Sequence, residues 1–301
     1  MEEGLGHYSV MADEMERYLF GEGGSIPRGV YCDCTAGAGG HALRILQRAA
    51  GCKLIAIDRD EDALRRCRTQ LSGFGSRVRY FHGGFSRLAQ AAKDCLPLVG
   101  ILADLGLSRL QLDDGRRGFS LRHPGPLDMR FDRRQALQAD ELVNRGGEGD
   151  LADTLYGLAD ERFSRRIARA VVRARPIRDT AHLSEVVAAA VPRSAASRIH
   201  PATKTFQALR MAVNDELGEL GKLLADVPRL LAPGGRFVVL SFHSGEDRLV
   251  KQSFRQLAAA GTYRLLTRRI VRPSEGEVRR NPASRSARLR AVQRTEMAYS
   301  A

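Results

Sequence analysis

The chain of 301 residues has no C-x-x-C pair, no histidine at metal-ligand spacing from a cysteine, no internal repeat, and no apolar run near the roughly 18 residues of a membrane span. The first two absences exclude the common zinc and dithiol redox patterns, so no metal is expected. Five cysteines, an odd number, read as free thiols in a reducing compartment. Residues 1–10 hold two Glu and no Arg, which argues against a mitochondrial transit peptide, and no signal peptide is recognised. The expectation is a cytoplasmic protein with no membrane partner. Lysine is also scarce: only five of the 48 basic residues are Lys, and the rest are Arg.

What is present points elsewhere. Hydrophobic residues make up 43% of the chain, enough for a core, and charged residues 28%. The net charge is +13 and the pI about 10.1. Such an excess suits a polyanion, because phosphates attract Arg and release counterions on binding.

Apolar strand-like runs at 30–34, 54–57, 78–81, 99–103 and 237–240 alternate with helix-like runs, including 63–71, 85–95 and 248–257. Continuous apolar strands between helices predict a parallel sheet covered on both faces. Cys32 and Cys34, two apart in one strand, are expected on one buried face. Residues 263–267 and 288–292 are expected as a terminal strand pair, and the Arg-rich 272–285 between them as an irregular loop. From 113 to 203 only helical periodicity is seen. There Phe163, Ile167, Val171 and Ala174 fall on one face, and Arg162, Arg165, Arg166, Arg169 and Arg173 occupy the rest. Phe206, Leu209, Val213, Leu217, Leu220 and Leu224 predict one long amphipathic helix. Domain expectations follow: a core of 1–112 and 204–301, and a helical insertion of 113–203.

Three segments carry chemistry. Asp33-Cys34-Thr35-Ala36-Gly37-Ala38-Gly39-Gly40-His41 lies between a strand and a helix, where open α/β sheets bind ligands. Asp58 ends the next strand, where a carboxylate can accept both hydroxyls of an adenosine ribose. These two features fit a nicotinamide dinucleotide as well as S-adenosylmethionine, so a nicotinamide-dependent oxidoreductase stays open, as does a non-catalytic RNA-binding protein. Asp60 is a candidate helix cap. Asp104-Leu105-Gly106 ends the fourth strand. An acid there suits an amine acceptor whose lone pair is conjugated into a ring: it takes an N–H bond and stabilises the developing positive charge.

With these segments, the chain resembles the MraW (RsmH) family, the 16S rRNA cytosine-N4 methyltransferases. The resemblance runs from His7 to about Arg294. It is carried also by His82-Gly83-Gly84-Phe85, Gln111-Leu112-Asp113, Arg117-Gly118-Phe119-Ser120, and Gly125-Pro126-Leu127-Asp128-Met129-Arg130. Further matches are Glu161-Arg162-Phe163, Arg166-Ile167-Ala168-Arg169, His200-Pro201-Ala202-Thr203-Lys204-Thr205-Phe206-Gln207-Ala208-Leu209-Arg210, and Ser241-Phe242-His243-Ser244 with Glu246-Asp247-Arg248. The chain departs from the family at Ser108-Arg109-Leu110-Gln111, where Ser-Ser-Pro-Gln is usual, and at Gly245, where Leu is usual.

The resemblance implies a class I (Rossmann-like) methyltransferase sheet with an inserted helical domain, and a substrate at the decoding centre of the small ribosomal subunit. It implies S-adenosylmethionine contacts at Gly39, Gly40, His41, Asp58, Phe85, Asp104 and Gln111. Asp104 is expected to orient the amine and His243 to take up the released proton. Phe119 and Phe242 are candidate base-stacking platforms, and Arg166 and Arg169 candidate phosphate contacts. Asp128 is a candidate tie between insertion and core. A homodimer is compatible with this reading.

Overall fold

A computed structural model describes residues 9–22, 26–192 and 200–296. His7, where the resemblance begins, lies outside them, as do residues 1–8 of the acidic start. The chain divides into two compact units, 1–106 with 218–301 and 107–217. Both ends of the second unit fall outside the expected 113–203.

The first unit is built on one seven-stranded sheet: β1 Val30–Asp33, β2 Lys53–Asp58, β3 Val78–His82, β4 Leu98–Asp104, β5 Leu231–Ser241, β6 Tyr263–Leu265 and β7 Arg288–Arg294. The spatial order is β3-β2-β1-β4-β5-β7-β6. β1 to β5 run parallel, while β7 is antiparallel to both β5 and β6. The terminal strand pair is therefore present.

Period-two alternation explains how one sheet supports two cores. Cys32, Cys34, Ile55, Ile57, Ile101, Ala103, Phe237 and Val239 point into one core, against helices Leu88–Ala92, Glu216–Leu230 and Ser244–Ala259. The intervening Tyr31, Leu54, Ala56, Leu102, Val238 and Leu240 point into the other, against Ala12–Phe20 and Gly40–Arg48. The Cys32 and Cys34 sulfurs lie 3.8 Å apart in the first of these cores. β1, β2, β4 and the second half of β5 are buried on both sides, so their sequences read as continuous apolar runs.

Three local expectations need correction. The single long helix is two, Thr203–Asn214 and Glu216–Leu230, parted at Asp215, which is left-handed with φ 47°. Pro233-Gly234-Gly235 reads as a turn from its residue types, but it is absorbed into β5 as an irregularity, where the pairing with β4 jumps from Leu98↔Leu231 to Gly100↔Arg236. The Arg-rich 272–285 is not a bare loop. It holds helix Glu275–Arg280 and a 3-10 turn, and Glu277 Oε1 accepts the Met11 N–H at 2.7 Å.

The second unit has no strand among its described residues. Helices Glu148–Ala159, Ser164–Arg173, Thr180–Ala190 and Thr203–Asn214 pack around Leu155, Ile167, Val171, Leu183, Val187 and Leu209. Buried Asn214 fastens this core. Its side-chain N–H groups go to the carbonyls of Met129 (2.7 Å) and Arg210 (2.8 Å), and its oxygen accepts from Phe131 N–H (2.8 Å). No helix among the described residues is long and apolar enough to cross a membrane.

Candidate active site

Strand order decides where a ligand can sit. From β1 the chain winds outward through β2 and β3, then returns to place β4 and β5 on the other side of β1. The crevice beyond the carboxyl ends of β1 and β4 is thus a topological switch point, the ordinary ligand position in such sheets. Asp33, Asp58 and Asp104 are the last residues of β1, β2 and β4, and Phe242 and His243 follow β5 directly.

The loop after β1 is held by the acids around it. Asp58 Oδ2 accepts the Gly37 N–H at 2.7 Å, and Asp58 Oδ1 accepts the Asp60 N–H at 2.8 Å. One carboxylate therefore ties the glycine loop to the loop after β2. Gly37 and Gly39 have φ of 53° and 96°, which a side chain would strain. At Gly40 a Cβ would fall 2.3 Å from Ser9 Oγ, so a side chain there would have to turn the serine hydroxyl aside. Thr35 Oγ1 accepts the Asp104 N–H at 2.6 Å and clips the tips of β1 and β4 together. Asp60, as expected, caps the next helix through Asp62 and Ala63 N–H.

The electrostatics are those of a cation site. Asp33 and His41 are buried, and Asp104 is 23% exposed. His41 Nε2 lies 3.4 Å from Asp104 Oδ2. Burial pushes the Asp33 carboxyl up to about 6, against the pull of His41. Burial likewise raises Asp58 to about 6, although the N–H groups of Asp60 and Gly37 favour its charge. Burial opposes protonation of His41, yet the Asp104 carboxylate, helped by Asp33, outweighs it and raises the pKa above the ordinary value. Asp33 Oδ2, Asp104 Oδ1 and His41 Nδ1 are buried with no hydrogen-bond partner among the described residues. Unmet buried acceptors cost about 1–3 kcal/mol each, so such a cluster is made for donors brought by a ligand. S-adenosylmethionine fits that demand: its ammonium and ribose hydroxyls donate, and its sulfonium carries positive charge. Asp33 was not singled out from the sequence as a site residue, although it is the same strand-tip acid as Asp58 and Asp104.

The remaining expected residues divide. Phe85 follows the tip of β3, half-buried against the core. A Cβ on Gly106 would lie 3.5 Å from the Phe242 ring, so Phe242 covers the loop that carries Asp104. His243 is engaged with Glu246. Its Nδ1 accepts the Glu246 N–H at 3.4 Å, capping helix Ser244–Ala259, and its Nε2 lies 3.2 Å from Glu246 Oε1. Glu246 Oε2 also accepts the Phe242 N–H at 3.0 Å. The Nδ1 lone pair of His243 is thus engaged in the helix cap. Gln111 belongs to the second unit, where it closes a capping box with Ser108.

Phe119 is corrected outright. It is 5% exposed, in the core of the helical unit with its ring 5.5 Å from that of Phe131, and no base can reach its face. Arg117, also buried, spends its guanidinium on the Arg130 and Phe131 carbonyls. Asp128 is paired within its own unit, both oxygens meeting Arg130 at 2.7 and 2.9 Å. Arg166 and Arg169 are exposed on helix Ser164–Arg173. Among the described residues no cluster of His, Cys, Asp and Glu suits a metal ion. Cys32, Cys34, Cys52 and Cys67 are buried, and burial lifts the Cys67 thiol to about 12, far from a thiolate nucleophile.

The model of the MraW methylase family matches residues 4–295. The chain is similar to the ribosomal RNA small subunit methyltransferase H of Koribacter versatilis, 48% identical with 97% of this chain and 95% of that protein covered. The protein of the same name from Solibacter usitatus is 49% identical, over 89% of this chain and 93% of its own. A remote structural likeness is an rRNA methylase from Streptococcus thermophilus, 11% identical with a TM-score of 0.41, over 94% and 93% of the two chains. The family match and the two close relatives set aside the nicotinamide-dependent oxidoreductase. The chain belongs to the MraW methylase family and is an S-adenosylmethionine-dependent methyltransferase of the class I fold.

Proposed function

We propose that this chain methylates the exocyclic N4 of a cytosine in 16S (small-subunit) ribosomal RNA, at the decoding centre. The observation that carries the reading is the unpaired, buried Asp104 Oδ1 at the switch point, beside the equally unmet Asp33 Oδ2. The full-length similarity to ribosomal RNA small subunit methyltransferases H supports the substrate class.

Bound S-adenosylmethionine supplies an electrophilic methyl on a positively charged sulfur. Gly39, Gly40 and His41 would line its methionine part, Asp58 its ribose and Phe85 its adenine. Asp33 and Asp104 supply the negative charge that holds it. The target base must leave its stack, at about a few kcal/mol. Asp104 Oδ1 then accepts one N–H of the amine. That bond draws N4 toward tetrahedral geometry, stabilises the charge that grows on it as the methyl arrives, and gives the proton that N4 must lose a path to the Asp104 carboxylate. N4 needs no covalent adduct with the protein, in keeping with the buried Cys32, Cys52 and Cys67, whose thiols burial pushes up. Phe242 would face the base over Gly106. Arg166 and Arg169 would grip phosphates, which positions RNA without reading its sequence.

The test is methyl transfer from labelled donor to small subunits taken from cells lacking the gene, followed by nucleoside mass spectrometry. The expected product is N4-methylcytidine, absent with Asp104→Ala. A different methylated nucleoside, or transfer that survives Asp104→Ala, overturns the assignment.

A further inference from the structure

Periodicity placed Phe163 on the buried face of its helix, but it stands in water. The buried face is Ser164, Ile167, Ala168 and Val171. Phe163 is the helix cap residue, with φ −96° and ψ 17°, so the helical phase does not reach it. It is 39% exposed, and Tyr156, at the end of helix Glu148–Ala159, is 63% exposed. They are the exposed large aromatics among the described residues, and they flank a single left-handed turn at Asp160, φ 50°. Lys204 Nζ donates to the Asp160 carbonyl at 2.9 Å, bringing a cation to the same turn.

Arginine surrounds them. At about 100° per residue, Arg165, Arg166, Arg169 and Arg173 share an arc of roughly 100° on helix Ser164–Arg173, with Arg162 just before it. Arg169 has a partner, Glu148, at 3.5 Å. The side chains of Arg162, Arg165, Arg166 and Arg173 have none among the described residues. Where this chain buries arginines it pairs them closely, as Arg130 with Asp128, Arg210 with Glu216 and Arg290 with Asp247. A row of unpaired cations at the foot of two bare aromatic rings is the chemistry of single-stranded RNA recognition: phosphates along the row, unpaired bases stacked on the rings.

We propose that Tyr156 and Phe163 form a stacking platform for unpaired bases of the RNA substrate, with Arg162, Arg165, Arg166 and Arg173 holding the adjoining phosphates. The proposal rests on the RNA reading above and adds to it a preference for an unpaired segment. Duplex RNA buries its base faces and offers the platform nothing to stack on.

The full chain contains no tryptophan, so Phe163→Trp places one indole reporter on the platform without background. Titration with a short single-stranded RNA is expected to quench it saturably, and the same RNA annealed to its complement is not. Equal quenching by both, or none while anisotropy shows the RNA bound, overturns the platform. A fluorescence change that follows protein concentration without RNA also overturns it, since a second copy of the chain then covers the ring. In parallel, Tyr156→Ala/Phe163→Ala is expected to raise KM for small subunits roughly tenfold or more, with affinity for S-adenosylmethionine unchanged. An unchanged KM overturns the proposal. If Phe163→Trp is quenched selectively by single strands while the wild-type chain methylates no small subunit, the platform stands and the substrate assignment falls.

Discussion

At the scale of single residues, the site is a balance between charge and burial. Asp33 and Asp58 have carboxyls raised to about 6 from an ordinary value near 3.8, chiefly by burial. A cation among them favours the ionised form. Donor binding near pH 6 should therefore release protons, and affinity should fall as pH drops below about 6. Calorimetry in two buffers of different ionisation heat measures this directly; identical heats would contradict it. For the ligand-free chain the sign is reversed. These acids bind protons more tightly folded than unfolded, so their stabilising contribution is complete below about pH 4 and is lost as pH rises through 6. Asp33→Asn should flatten that part of the stability profile. His243 gives a second expectation. Asparagine is a good helix cap, so His243→Asn should keep most of the methyl transfer, with a pH profile like that of the wild type, whereas His243→Ala loses the cap. A drop of a hundredfold with Asn would restore the ring as the proton acceptor.

At the scale of elements, sequence and structure agree where one physical cause dominates. The central strands β1, β2, β4 and β5 were legible because burial on both faces makes them apolar runs, and three of these end in an acid at the carboxyl edge of the sheet. The break at Asp215 was hidden because one left-handed residue leaves the apolar spacing from Phe206 to Leu224 in phase. Phe119 and Phe163 were read the wrong way round for complementary reasons. The burial of Phe119 depends on a tertiary partner, Phe131, that local spacing cannot name. Phe163 is exposed because it sits at a cap, outside the periodicity that was applied to it. Caps also carry measurable energy. Asp60 accepts the N–H groups of Asp62 and Ala63 and donates its own to Asp58. Asp60→Ala should cost about 1 kcal/mol from the cap alone, lowering Tm by about 2–4 °C. Donor binding should change little, because the N–H that Asp58 accepts belongs to the backbone of residue 60 and survives the substitution; differential scanning fluorimetry with and without S-adenosylmethionine checks both effects.

At the scale of the whole molecule, the positive charge and the acid cluster answer to different partners. The net +13 is long-range and screened by salt, while the donor contacts of Asp33, Asp58 and Asp104 are short and mostly enclosed. Binding to small-subunit RNA should weaken steeply between 50 and 200 mM salt, with log affinity linear in log salt. Binding of S-adenosylmethionine should change far less over the same range. Parallel titrations test the contrast, and equal slopes would show that the arginines do not meet phosphate.

The sheet's connectivity has a consequence for how the protein is made. β4 takes its second neighbour from β5, a strand encoded after the entire helical unit. On a translating ribosome the edge of β4 stays bare while roughly 130 residues are added, about 6–25 s at ~5–20 residues per second. For that interval the nascent chain offers an apolar, unpaired strand edge to its surroundings, the form most open to wrong pairing. An enzyme of ribosome maturation would thus be most vulnerable while still attached to one.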